Sequence, residues 1–387
     1  MYDAIVVGAG PAGTAAATQL AKSGARVLVL EKHTLPRYKA CAGAVSGRAA
    51  KFLTVDFSPV VEDVIHRVKV HWANSDTPPV EYTSETPIAY LVMRSDFDYF
   101  LVQHATRAGA IIHDNEEVKT VNLGLEAVEV ITPYSTYKAA TLIGADGALG
   151  TVARQSNLFV PKSSGIAMEI EADVPAQRLD EWHNTVLVSY GIPRHGYAWL
   201  FPKSRHLSLG MGTFSPHRPE FVSGFTAFTD SLGITWERHQ LKAHPIPLGG
   251  LERRVCRRRL LLAGDAAGLA DPLSGEGIAY AIHSGLLAAN STLAALDTGD
   301  FSMSSYQSSI DREINADLRV AKQLSAAFYA LPKVFSRLFQ SNHEILHWYF
   351  ELVQGHRNYL DVWDLVQEVL RPEVLLRRHR DSDSSFH

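Results

Sequence analysis

The opening residues of this chain, MYDAIVVGAGPAGTAAATQLAKSGARVLVLE, constrain its fold more than any other segment. An apolar run over Asp3–Val7 leads into Gly8-x-Gly10-x-x-Gly13, and a helix-compatible stretch covers Pro11–Ser23. A second apolar run, Arg26–Leu30, ends at Glu31. Two short apolar runs separated by a helical stretch form a βαβ unit and predict a parallel sheet. Gly8 permits the tight turn, Gly10 lets the main chain approach a pyrophosphate, and Gly13 lets helix and strand pack closely. Pro11 and Ala12 fall on the turn itself, where the helix start presents free N–H groups and the positive end of its dipole to phosphates. Glu31, followed by Lys32, stands 18 residues beyond Gly13, near the spacing of about 20 expected of a carboxylate that binds ribose hydroxyls. The segment therefore predicts a dinucleotide site, and Glu31 by itself fits NAD and FAD equally.

A second motif bears on that choice. Leu260-Leu-Leu-Ala-Gly264-Asp265-Ala-Ala-Gly268 puts an aspartate at the end of an apolar strand more than 200 residues downstream. Read alone, it is also a helix N-cap. It resembles the GD motif of glutathione-reductase-type FAD proteins, which implies bound FAD, with Gly264 and Asp265 at the ribityl chain. Ile143-Gly-Ala-Asp146-Gly147-Ala-Leu-Gly150-Thr-Val-Ala-Arg154 resembles the DG motif of single-component flavoprotein hydroxylases. That resemblance implies Asp146 and Gly147 near the pyrophosphates of FAD and NAD(P)H. No second GxGxxG occurs, so NADPH as reductant would dock transiently on the FAD fold. The same superfamily implies that Arg94, opening RSDFDYFL, reaches the cofactor, with Arg37 a similar candidate; an ordinary ion pair is the other reading of each. After Asp271 the chain reads Pro272-Leu-Ser-Gly275-Glu276-Gly277 and enters a helix at Ile278. In a flavoprotein this turn lies against the flavin N1–C2=O edge, where a positive helix end stabilises the charge of the reduced ring.

At 387 residues two domains are expected. Val80–Val92 reads as a β-strand with an alternating face, Arg94–Arg107 as a helix, and Gly165–Phe214 as β-rich. The fold class read from the pattern is α/β. It has a discontinuous Rossmann-like FAD-binding domain (1–55, 95–162 and 252–298), an antiparallel β-sheet substrate domain (56–94 and 163–251) and a C-terminal helical region (299–387) whose helices run to about Leu376 before a frayed tail, RRHRDSDSSFH. A net charge of −4 argues against nucleic acid as a partner. The two cysteines, Cys41 and Cys256, form no Cys/His metal pattern and fit a reducing compartment. The N-terminus shows no signal or transit peptide, which points to the cytoplasm. Leu260–Leu296, the most apolar long stretch, is broken by Asp265, Asp271 and Glu276, so no transmembrane helix is expected and a peripheral membrane contact stays open.

Two further segments narrow the family. Pro36-Arg37-Tyr38-Lys-Ala-Cys41-Ala42-Gly43 is one; Tyr197-Ala-Trp199-Leu-Phe201-Pro202-Lys203, followed by Gly210-Met-Gly212, is the other. Together they resemble the geranylgeranyl reductase family over roughly residues 1–300. The resemblance implies FAD-dependent reduction of isolated C=C bonds in prenyl chains. Hydride comes from reduced flavin N5, and a positioned acid supplies the proton. It implies Cys41, Ala42 and Gly43 beside the flavin, with Cys41, Tyr197 and Trp199 as catalytic candidates. The chain departs from the family at Ala42, where glycine is usual, and at Ala40, where proline is common. Alternation puts Tyr197, Trp199 and Phe201 on one strand face, as pocket wall or as core; a lone cysteine is more often a small buried hydrophobe. Cys256 reads as structural or exposed. The prenyl carrier could be a chlorophyll pigment, a diphosphate, a quinone or a lipid. The alternatives are a flavin-dependent monooxygenase or halogenase of an aromatic substrate, since halogenases carry a similar WxWxIP segment with tryptophan where Tyr197 stands, or a non-enzymatic flavin-binding protein. The arginines at 253, 254 and 257–259 read as a 2′-phosphate or headgroup site, or as a solvated face. Ile345–Phe350 reads as a tunnel cap, a membrane contact or packing against the FAD domain.

Overall fold

A computed structural model describes residues 1–73, 78–158, 165–215 and 221–363. The opening βαβ unit lies at the centre of a parallel sheet. Its parallel strands run in the order Leu260–Leu262, Thr136–Gly144, Tyr2–Val7, Val27–Leu30 and Ile111–His113, and Cys256–Arg257 adds an antiparallel edge. Val27–Leu30 and Ala4–Val7 are buried throughout, as continuous apolar runs in a parallel sheet should be. The chain leaves neighbouring strands at Gly8, Ala145 and Ala263, so the C-terminal ends converge: Gly8 N–H donates to Leu30 O, Ala145 N–H to Val7 O and Ala263 N–H to Gly144 O, at 2.8, 2.8 and 2.9 Å. Open α/β sheets bind their ligands at such an edge.

Helices Pro11–Lys22 and Ile278–Thr298 pack side by side. Small residues permit it: a Cβ at Gly285 would strike Ala12 O, and one at Gly264 would lie 3.1 Å from Ala12 Cβ and 3.3 Å from Ala281 Cβ. The two glycine-rich motifs, far apart in sequence, therefore meet in space.

A second large sheet, of seven strands, runs Lys242–Ile246, Gly165–Asp173, His206–Thr213, Gly196–Pro202, Thr185–Tyr190, Arg67–Trp72, Val80–Thr83. It is antiparallel except between Thr185–Tyr190 and Arg67–Trp72, which run parallel. Between those two strands the chain crosses to the parallel sheet and returns, so no hairpin dictates their direction. One face packs on the helix Phe221–Ser231 through Ala198, Leu200, Leu209 and Phe225. A short helix, Ala176–Trp182, interrupts the stretch read from sequence simply as β-rich. The stretch Val80–Val92 divides: Val80–Thr83 joins the large sheet, whereas Ala89–Val92 sits between Ala44–Ser46 and Val61–Ile65 in a three-stranded sheet.

The C-terminal helices Ala316–Ala330, Pro332–Ser341 and His343–Gln354 pack on Val68, Val70, Trp72 and Tyr190 through Phe328, Phe339, Leu346 and Phe350. The helix expected to reach Leu376 and the tail after it fall beyond residue 363, outside the described residues.

Candidate active site

One cavity of about 950 Å³ connects the edge of the parallel sheet with the open face of the large sheet. At its first end the wall is the Gly8–Ala12 turn, Glu31, Lys32, Asp146, Gly147, Asp265 and the turn Gly275–Ile278. Gly8 has φ +101°, and a Cβ there would overlap Ala145 O; a Cβ on Gly13 would overlap Gly8 O. Both positions therefore exclude any side chain. Gly10 leaves the main chain open to the cavity: a Cβ there would have only Arg37 Nη2 within 4 Å, at 3.7 Å. Glu31 accepts from Ala9 N–H at 3.0 Å and His33 N–H at 3.1 Å, which fixes its carboxylate at the rim. Asp146 accepts from Thr151 and Val152 N–H at 2.5 and 2.9 Å through one oxygen, while its other oxygen is buried without a hydrogen-bond partner. Burial pushes its carboxyl above the ordinary range. A backbone-lined cradle, a helix start with uncapped N–H groups and an acceptor lacking a donor together fit the pyrophosphate and sugar hydroxyls of FAD.

Other sequence candidates support the wall from behind. Gly13, Gly43, Gly264 and Pro272 do not line the cavity. Gly264 N–H donates to Ser284 Oγ at 2.9 Å, and Pro272 O accepts from Ser325 at 2.7 Å. Gly43 packs where a Cβ would meet Val92 O and Lys203 Nζ. Arg94 borders the cavity, but its guanidinium forks onto Asp98 at 2.8 and 2.9 Å. Arg37 spans Asp98 at 3.1 Å and Glu31 at 3.3 Å. Asp265 faces Lys39 at 3.7 Å. In the turn Asp271–Gly277, Asp271 accepts from Leu273 and Ser274 N–H at 2.7 and 3.1 Å, and from Tyr359 OH at 2.7 Å. Glu276 accepts from Ser46 OH, and burial pushes its carboxyl up to about 6 against the pull of Arg48.

Cys41, Ala42, Tyr197 and Trp199 meet in the middle of the cavity. Tyr197, Trp199 and Phe201 all face it, while Ala198 and Leu200 enter the core behind. Trp199 pairs across the ladder with Gly210, where a Cβ would enter the indole ring; this accounts for the spacing of the aromatic segment and the glycines after it. Tyr197 OH donates to Ser274 O, joining the large sheet to the glycine-rich turn. Lys203, fully buried, donates to Ala42 O and Val92 O, both at 2.8 Å, and loss of solvent lowers its pKa. Sequence reasoning missed Tyr38, Glu169 and His244, which also line this region. Burial, with Lys39 adding to it, holds His244 down to about 4.

At the far end the wall is apolar: Val68, Val70, Val186 and Val188 from adjacent strands, and Phe350 and Val353 from the C-terminal helix. From the stretch Ile345–Phe350, Tyr349 and Phe350 line this cavity. The arginine cluster divides: Arg254, Arg257 and Arg258 are exposed, Arg253 is half-buried and Arg259 is buried, and none lines the cavity. Arg253 binds Leu248 O and Gly268 O, Arg257 binds Ser156 O, Arg258 binds Leu125 O, and Arg259 binds Ala140 O and Leu125 O. These side chains fasten main-chain carbonyls, and the three exposed ones, Arg254, Arg257 and Arg258, agree with the solvated-face reading. Cys256 is buried, with its thiol donating to Met303 O at 3.1 Å. No described helix is long and apolar enough to cross a membrane.

A family model described as an FAD binding domain matches residues 1–208. A geranylgeranyl diphosphate reductase of Rhodobacter capsulatus is 31% identical over 312 residues, covering 77% of this chain and 76% of that one. The chain belongs to the geranylgeranyl reductase family of FAD-binding oxidoreductases. A digeranylgeranylglycerophospholipid reductase of Methanosphaera stadtmanae is 28% identical over 80% of this chain and 81% of its own length. Among solved structures, a geranylgeranyl bacteriochlorophyll reductase-like protein of Thermoplasma acidophilum superposes with TM-score 0.73 at 24% identity, covering 84% of this chain and 87% of that one. A flavin-dependent brominase superposes with TM-score 0.71 at 20% identity, over 92% and 93% of the two chains, and shares the fold.

Proposed function

We propose that this family member reduces isolated C=C bonds in prenyl chains, using FAD that NAD(P)H or a ferredoxin-type donor has reduced. The observation that carries the reading is a single cavity with a polar, backbone-lined first end and a far end walled by valines and Phe350. A long aliphatic chain suits that far end, because a water-excluding apolar wall recognises length and shape rather than hydrogen-bonding groups. The prenyl names carried by the relatives support the same substrate class. A small aromatic, as a monooxygenase or halogenase would take, leaves the valine-lined end without a task.

In this reading Gly8, Gly10, Pro11 and Ala12 hold the pyrophosphate of FAD, with Gly13 packed behind the turn and Asp146 and Gly147 closing over it. Glu31, with Lys32 and Arg37 at the rim, holds the adenosine ribose. Asp265 holds the ribityl chain, and the Gly275–Ile278 turn borders the ring. Bound reduced FAD supplies the hydride. Cys41, Tyr197 and Trp199 flank the reacting bond and orient it, Tyr197 through its fixed hydroxyl, while the valine face excludes water. Arg94 acts through Asp98 and the Cys41 loop, as a positioning residue.

The test is a single turnover. Anaerobic protein carrying dithionite-reduced FAD, mixed with geranylgeranyl diphosphate, should regain the oxidised flavin spectrum at a rate that saturates with substrate. Reduced protein that responds to no prenyl substrate yet reoxidises with oxygen and an aromatic would contradict the reading.

A further inference from the structure

Alkene reduction needs a proton on one carbon to match the hydride on the other. The Cys41 thiol is one candidate, and its Sγ accepts from Gly43 N–H at 3.4 Å. One peptide away stands a different acid. Glu169, on the strand Gly165–Asp173, is 2% exposed and lines the same cavity. A single carboxylate oxygen, Oε1, accepts from Cys41 N–H at 2.7 Å and from Tyr38 OH at 2.8 Å. No motif marks it.

We propose that Glu169 is the acid that supplies the proton for alkene reduction, with Tyr38 as its link to solvent. The inference rests on the reductase reading above. The groups facing Glu169 are Tyr38 and Cys41 from the loop, Glu171 on its own strand, Lys203 at the end of the aromatic strand, and Lys242, its ladder partner on the edge strand Lys242–Ile246. Burial is the largest influence and the Glu171 charge adds to it; Tyr38, the Cys41 N–H and Lys203 oppose them, and the carboxyl ends up at about 7. It is therefore substantially protonated at neutral pH, where an acid works best. Tyr38 is 48% exposed, and burial beside Glu169 keeps its phenol protonated. It thus reaches from water to the buried carboxyl. In the step, the O–H bond of Glu169 breaks and its proton forms a C–H bond with the alkene π pair. The hydride, carrying the two electrons delivered by the nicotinamide or ferredoxin-type reductant, forms the second C–H bond. Glu169 is left as carboxylate and takes a proton from water by way of Tyr38.

Glu169→Gln keeps an acceptor for Cys41 N–H and Tyr38 but has no acidic proton. In anaerobic single turnovers the wild-type alkene step should fall as pH rises through about 7, because the protonated form is the active one. The Gln variant should be slower by on the order of 10²-fold and lack that fall. Infrared difference spectra of the resting holoprotein should show a protonated-carboxyl band that titrates near the same pH in wild type and is missing from the variant. Should the Gln variant not retain FAD, Glu169→Asp decides: it keeps an acid and should keep a pH-dependent limb at reduced rate. A Gln variant with wild-type rate and pH profile, or a carboxyl band that does not titrate in this range, overturns the inference. Failure of the reductase reading is a separate result: wild-type protein that turns over no prenyl substrate at any pH.

Discussion

At the Gly8 end of the cavity the wall is main chain; at the Val188 end it is side chain. The first end is held by positions that tolerate no Cβ, by helix starts and by carboxylates locked to N–H groups, such as Glu31 on Ala9 and His33. The second end is held by valines alternating along Arg67–Trp72 and Thr185–Tyr190 and by a helix arriving from near residue 350. A main-chain wall is rigid in its demand on sequence, since one methyl breaks it. A side-chain wall can be rebuilt from other apolar residues of similar volume. The contrast fits relatives whose names carry different prenyl substrates.

The largest expected effect strikes the first end. Gly13→Val puts its side chain into Gly8 O and should cost about 3 kcal/mol or more of stability, the upper range for overpacking. The purified variant should carry no FAD. Retention of FAD with an unchanged melting temperature would show that the turn is not a close-packed main-chain site.

The next effect follows from Glu276 in the turn beside the ring site. Its folded-state carboxyl sits at about 6 against an ordinary 4.5 because of burial. A raised carboxyl contributes stability that is full below the unfolded value and is lost as pH rises through the folded one. Apoprotein stability should therefore fall between pH 4.5 and somewhat above 6, by about 2 kcal/mol at about 1.4 kcal/mol per pKa unit. In Glu276→Gln that part of the pH dependence should vanish, as read from urea midpoints of variant and wild type across the interval. A constant difference between the two proteins at all pH values would remove Glu276 from the buried set.

The far end should respond differently. Val188→Trp fills the valine-lined lobe and should leave FAD content and melting temperature near wild type. The rate with geranylgeranyl substrates should fall about tenfold, roughly 1.4 kcal/mol, while a shorter geranyl substrate is affected less. Equal loss on long and short chains would place the substrate elsewhere. Smallest is Asp265→Ala, which removes one hydrogen-bonding carboxylate and should weaken FAD binding by roughly 0.5–1.5 kcal/mol, as measured by flavin fluorescence titration.

Legibility in the sequence follows the same division. The βαβ opening, the helix over Arg94–Arg107 and the strand before GDAAG were all readable, because glycine placement and apolar period are local signals. Tyr197, Trp199 and Phe201 were readable as one face because a strand alternates every two residues. Glu169 was not: its two hydrogen-bond partners lie some 130 positions away, and a strand carboxylate looks like solvent-facing polarity until its neighbours are known. The available clue was a pair of glutamates two apart, Glu169 and Glu171, in an otherwise apolar strand. Of the arginines around 253–259, three are exposed, as the solvated-face reading has it, but sequence did not show that Arg253 and Arg259 turn inward. Charge in sequence suggests a charged ligand, yet here the guanidinium groups spend their donors on main-chain carbonyls such as Ala140 O and Gly268 O. Val80–Val92 read as continuous β structure because nothing in its composition reveals that its halves belong to different sheets.

On the proposed function, the two ends of this cavity bring a hydride donor to a prenyl double bond. The most direct test is the mass of the product formed without oxygen. Reduced protein incubated anaerobically with geranylgeranyl diphosphate should yield a product heavier by two hydrogens per reduced bond, with no oxygen or halogen incorporated. A product that forms only when oxygen is admitted and that carries an added oxygen atom or halogen would contradict the account.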